Sequence, residues 1–141
     1  MTDLERAKAL LASEGYTCAL CKGEDAYTSR ERGVKPLLSL LDGGKSFCGY
    51  SAADKVVGKG AAFLYVLLGV SRVHACVISA PAKETLLAHG IGVTFDTEVA
   101  AIRNRTNTGP CPIESAVIFT DDPDEALILI REKLGILSAN R

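Results

Sequence analysis

Lys55 and Lys59 are the first residues whose type and spacing bear on chemistry. They lie in an otherwise apolar stretch, Ser51 to Gly69, that reads as one buried helix. Ser51 and Asp54 form an S-x-x-D start signal, and Gly69 is its stop. Four residues apart, the lysines share one helix stripe. They also fall at the positive end of the helix dipole, where a cation is disfavoured by roughly 0.3–1 kcal/mol. An anionic ligand, phosphate or carboxylate, would compensate them. The plainer alternative pairs Asp54 with one lysine and lets the other reach water.

A second constellation is Cys111, Pro112 and Glu114. A thiol at a helix start has a lowered pKa, and Glu114 stands at capping position. No histidine is placed by sequence as its base, which favours a simple cap over a nucleophile. Cys48 precedes the expected central helix and joins the candidates on that ground. Cys18 and Cys21 form a C-x-x-C on an expected strand, where they face opposite sides and share neither metal nor disulfide. Cys76 and His74 sit within an apolar strand and read as core. Ser79 and Asp96 fall at the C-terminal ends of strands, where open α/β sheets gather ligands; capping of the next element is the alternative. Arg103, Asn104 and Arg105 read as a charged loop near that edge, with phosphate binding as the sharper alternative.

These residues are carried by 141 residues, enough for one domain spanning 1–141 with a sizeable core. A net charge of −1 gives no reason to expect nucleic acid. No apolar run is long enough for a bilayer, and the charged start Met1 to Arg6 has no signal-peptide core. Five cysteines cannot all pair within the chain, which suits reduced thiols in the cytoplasm. Absent Trp argues against a base-stacking platform.

In chain order, the box Thr2–Glu5 opens a helix that Gly15 closes. Tyr16 to Lys22 and Ala26 to Ser29 read as a hairpin about a turn at Gly23. Pro36 opens a short helix stopped by Gly43 and Gly44. Lys45 to Tyr50 reads as a third strand leading into the central helix. Arg72 to Ser79 is apolar without clean alternation, as a strand covered on both faces is. Pro81 opens a helix closed by Gly90, and Gly92 to Asp96 completes a βαβ unit with parallel strands. Val99 to Arg105 is ambiguous between strand and helix. A short helix from Pro112 to about Phe119 precedes a last helix that starts at Asp122 and Pro123 and ends at Gly135. The fold class is a three-layer α/β/α sandwich with a mixed sheet.

A hairpin, a strand leading into a buried helix, then a strand entering a helix through proline resembles the cytidine deaminase fold. The resemblance implies zinc held by H-x-E or C-x-E in the first turns of the buried helix and by P-C-x-x-C opening the next helix. Here the first position reads Ala52, Ala53, Asp54, Lys55, Val56, without His or Cys. The second reads Pro81, Ala82, Thr85, with no cysteine. Pro110 to Glu114 mimics P-C-x-x-C but lies one strand and one helix too late. A zinc deaminase is therefore rejected. Cys48-Gly49-Tyr50, the run Asp54 to Ala62, and Cys111-Pro112-Ile113-Glu114 resemble a small uncharacterised prokaryotic family given a deaminase-like fold without the zinc site.

The expectation is a zinc-free, deaminase-like domain that binds a small anionic or nucleotide-like molecule through Asp54, Lys55, Lys59, Ser79 and Asp96. No metal, cofactor, nucleic acid or membrane is expected, and a homo-oligomer is allowed. Two alternatives stay open: a cysteine-dependent enzyme using Cys111 or Cys48 with Glu114 or Asp54 orienting, and a non-catalytic interaction module.

Overall fold

The box at the N-terminus forms as its spacing predicts: Thr2 Oγ1 accepts from the Glu5 N–H at 3.1 Å, and Glu5 Oε1 accepts from the Thr2 N–H at 3.2 Å. It starts α1 (Asp3–Ser13) in a computed structural model that describes residues 1–104 and 106–139. The hairpin follows as β1 (Cys18–Lys22) and β2 (Asp25–Ser29), turning at Gly23, whose φ of 57° suits glycine. Then come α2 (Lys35–Asp42), β3 (Ser51–Val57), α3 (Lys59–Leu68), β4 (Arg72–Ser79), α4 (Ala80–Ala88), β5 (Gly92–Val99), α5 (Pro112–Ala116) and α6 (Pro123–Ala139). The five strands form one mixed sheet in the order β2-β1-β3-β4-β5. β1 is antiparallel to β2 and β3, whereas β3, β4 and β5 are parallel. Among the described residues no helix is long and apolar enough to cross a membrane.

Two apolar clusters flank the sheet. Ala7 and Leu11 of α1 pack with Ala19, Cys21 and Ala53 on one face. α2, α3, α4 and α6 pack on the other, where Ala62, Phe63, Leu64 and Tyr65 of α3 are wholly buried. Cys18 lies in one cluster and Cys21 in the other, so the C-x-x-C does face both ways, and all five thiols are free.

The stretch from Ser51 to Val57 is a strand, not the first half of a helix. Ala52 faces the α3 cluster and Ala53 faces α1, a period of two. Both sides of this central strand are covered by apolar layers, and its adjacent Asp54 and Lys55 point to opposite faces, so the polar residues mark no alternation. Gly58 ends the strand and is the N-cap of α3 with ψ of 177°, so the helix starts at Lys59. Gly69 is its C-cap as expected, with a left-handed φ of 84°. The segment 45–50 is a loop instead of a strand; its Phe47 and Tyr50 rings meet edge-on at 4.9 Å and plug the core. β5 closes at Val99, and beyond it Arg103 bridges Pro110. α5 ends at Ala116, short of Phe119, and α6 continues through Gly135.

Two glycines inside helices make opposite predictions. A Cβ on Gly60 would lie 2.6 Å from Ile113 Cγ2, on a stiff β-branched side chain of α5. A Cβ on Gly135 would meet nothing within 4 Å. Gly60→Ala should lower stability by about 1–3 kcal/mol through overpacking, whereas Gly135→Ala should raise it by up to about 1 kcal/mol through helix propensity. Urea midpoints of the two variants check this; shifts of the same sign would show the α3–α5 contact to be loose.

Candidate functional site

α3 begins without a side-chain cap of its own. Its free N–H groups need an acceptor, and its dipole favours an anion. Glu114 of α5 provides one from 55 positions away: its Oε2 accepts from the Lys59 N–H at 2.6 Å. The same oxygen accepts from Ser79 Oγ at 2.5 Å, and Oε1 accepts from the Ile102 N–H at 2.7 Å. Ser79 Oγ in turn accepts from the Ala82 N–H at 3.2 Å and so caps α4. One buried carboxylate therefore joins the starts of α3 and α4 to the chain beyond β5. Gly58 makes room for it, since a Cβ there would lie 3.1 Å from Oε2. Glu114 is 4% exposed and Ser79 fully buried, and neither lines the two cavities described below.

The structure separates the residues that the sequence grouped. Lys59 is the first residue of α3 and is 7% exposed. Its Nζ donates to the Ile118 carbonyl at 2.8 Å and lies 5.7 Å from the centre of the Phe63 ring. Among the described residues no carboxylate comes within 4.0 Å of it. It lines a cavity of about 190 Å³ between α3 and α4, with Phe63, Pro81, Glu84, Thr85, His89 and Asp121 around it. The sequence reading missed these partners, although Pro81, Thr85 and His89 recur every four residues and Glu84 and Ala88 flank them, a single stripe of α4.

Lys55 and Asp96 lie on the other face of the sheet. With Cys76 they sit on the adjacent strands β3, β4 and β5, and line a second cavity of about 190 Å³ with His74 and with Lys8, Leu11 and Ala12 of α1. His74 is buried; its Nδ1 is 2.7 Å from Thr94 Oγ1 and its Nε2 3.6 Å from Asp96 Oδ1. Burial, aided by Lys8, lowers the His74 pKa against the pull of Asp96. Burial and Asp96 push the Cys76 thiol up, with Lys55 opposing, so this thiol is not primed as a nucleophile. Lys55 and Lys59 thus share no stripe and no site. Asp54 pairs with neither: its Oδ2 accepts from Tyr65 Oη at 2.6 Å on the α3 side. Burial pushes its carboxyl up to about 7, against hydrogen bonds from Tyr65 and Val56.

The cysteine candidates also part. Cys48 is exposed beside the opposite end of α3: the Gly49 N–H donates to the Gly69 carbonyl at 3.2 Å, and Cys48 Cα lies 3.4 Å from where a Gly69 Cβ would be. Ten helical residues, roughly 15 Å, separate it from Lys59. Cys111 is the N-cap of the five-residue α5, and its side chain makes no capping hydrogen bond. Its expected partner, Glu114, is committed to Lys59, Ser79 and Ile102. Arg103 Nε donates to Asn107 Oδ1 at 2.6 Å within its own loop. Arg105 lies outside the described residues. Among the described residues no group of three or more His, Cys, Asp or Glu could hold a metal ion. With α3 starting at Lys59, the residues there are Gly58, Lys59, Gly60 and Ala61, again without a zinc ligand.

A family model described as "TM1506: Domain of unknown function (DUF1893)" matches residues 6–134. Among solved structures, the chain is similar to a DUF1893 family protein (TM1506) from Thermotoga maritima, determined by crystallography at 2.70 Å. The two are 28% identical, the match covers 96% of this chain and 90% of that one, and the TM-score is 0.82. No curated protein is significantly similar to the chain.

The Asp54 geometry sets a pH dependence. Its pKa rises on folding from the model-peptide range near 3.9 to about 7, so between these values the unfolded chain binds fewer protons than the native one. Stability attributable to Asp54 is therefore highest below pH 4, falls through the interval, and levels off above about 7. At about 1.4 kcal/mol per pKa unit the loss is a few kcal/mol at most. Relative to Asp54→Asn, the wild type should lose stability as pH rises from 5 to 7.5; a difference independent of pH would refute the inward, desolvated carboxyl.

Proposed function

The chain belongs to the DUF1893 family, a domain of unknown function, and we propose that it is a small-molecule-binding protein whose ligand presents an anionic group to Lys59. The supporting observation is a buried ammonium with no described carboxylate within 4.0 Å, facing a cavity of about 190 Å³. Buried lysines are ordinarily paired, because a desolvated charge is costly alone. One carbonyl and an aromatic face satisfy only part of it. The cavity is below the usual range for drug-sized ligands, which points to a small metabolite.

The deaminase-like, zinc-free reading is supported by element order: a hairpin, β3 entering the buried α3, and β4 entering α4 with Pro81 in its first turn. In that fold the metal lies between the two helix starts; here the Glu114 carboxylate bridges them. The anion site thus lies one turn further along, in the cleft between α3 and α4, and the family gives no reaction to assign to it.

Lys59→Met tests this. A panel of acetate, succinate and inorganic phosphate should include at least one anion that raises the Tm of the wild type. The variant should lose that response, with affinity down at least about tenfold. Without ligand it should be as stable as the wild type or more so, since a desolvated charge is removed. A wild type indifferent to every anion, or a variant that binds equally well, overturns the proposal.

A further inference from the structure

We infer that the ligand of the Lys59 cavity is a zwitterion of the amino-acid type, held with its carboxylate at the floor and its ammonium at the rim. This rests on the binding reading above and adds the other half of the ligand. The floor is Lys59 and the Phe63 ring, both buried. The rim carries two carboxylates, Glu84 and Asp121, both exposed, and neither forms an ion pair among the described residues. The third polar side chain at the rim is His89. Its Nδ1 faces the Thr85 carbonyl at 2.9 Å and must donate to it, which leaves Nε2 as its free ring nitrogen. Thr85 Oγ1 is already spent on the Pro81 carbonyl at 2.9 Å.

The cavity thus has one positive charge inside and two negative charges at its mouth. A polyanion such as a nucleotide or phosphate meets repulsion from both rim carboxylates before it reaches Lys59, and a lone cation meets Lys59 itself. A molecule with a negative end and a positive end satisfies both, and like-charge exclusion at the rim supplies the selectivity. Pro81 and Ala88 give the walls apolar surface for the short chain between the two ends.

Isothermal titration separates the possibilities, with glycine, β-alanine and γ-aminobutyrate as zwitterions, acetate as the anion alone and methylamine as the cation alone. The wild type should bind at least one zwitterion at least about tenfold more tightly than acetate, and methylamine not measurably. In the Glu84→Gln/Asp121→Asn double variant, both changes being at exposed positions, that preference should fall below about threefold while acetate binds better. Acetate binding as well as the zwitterions in the wild type, or a double variant that keeps the preference, overturns the zwitterion inference and leaves the Lys59 anion site standing. Silence of the whole panel, acetate included, overturns both.

Discussion

The carboxylate of Glu114 is the point on which the rest of the structure depends. α3 is the inner rod of the fold, wholly buried from Ala62 to Tyr65, and it starts at a glycine with no side chain to cap it. An uncapped helix start in the interior would leave N–H groups without partners. A carboxylate at that place gains because hydrogen bonds donated to a charged acceptor are strong, and because it meets the dipoles of both α3 and α4. Three donors, two of them backbone N–H groups that cannot rotate away, offset its desolvation. Through Ser79 the same charge fixes the start of α4, and through Ile102 it pulls in the chain after β5.

The start of α3 is thus answered from inside the chain by Glu114 and not by the Lys59 side chain, whose ammonium can only donate. Its backbone N–H turns to Glu114, whereas its ammonium turns to the Ile118 carbonyl and the cleft between α3 and α4. Backbone and side chain at one residue therefore have different partners, and among the described residues only the second has no anion within 4.0 Å. The opposite face of the sheet holds a separate titratable cluster of Lys8, Lys55, His74, Cys76 and Asp96. There Asp96 lies 3.6 Å from His74, and cationic and anionic groups are mixed around one cavity.

Much of the fold was legible because its signals are local. The Thr2–Glu5 box, the Gly23 turn, Pro36, Pro81 and the Gly69 stop each act within four residues, and all behave as read. The error at Ser51–Val57 has a physical origin: consecutive alanines buried between two apolar layers carry no polar mark to reveal a period of two. That error moved Asp54 and Lys55 onto a strand and sent their side chains to opposite faces. The role of Glu114 was illegible for another reason. Three residues after a helix N-cap it reads as a local cap, and only the folded chain brings it to the N–H of Lys59, 55 positions earlier, and to Ser79 at the end of β4. Cys48 lies away from Lys59 because the strand placed before α3 puts it by the helix's far end.

The most direct measurement is urea unfolding of Glu114→Gln at pH 7. Glutamine keeps the shape but offers one acceptor oxygen and one NH₂ group, and the Lys59 and Ile102 N–H groups lie on different oxygens of the native carboxylate. Whichever way the amide turns, one N–H donor faces another donor in the interior. The variant should lose about 2–4 kcal/mol, the cost of a buried unsatisfied donor together with the lost charge. Equal unfolding midpoints for variant and wild type would contradict the assignment of Glu114 as the anion that closes the start of α3.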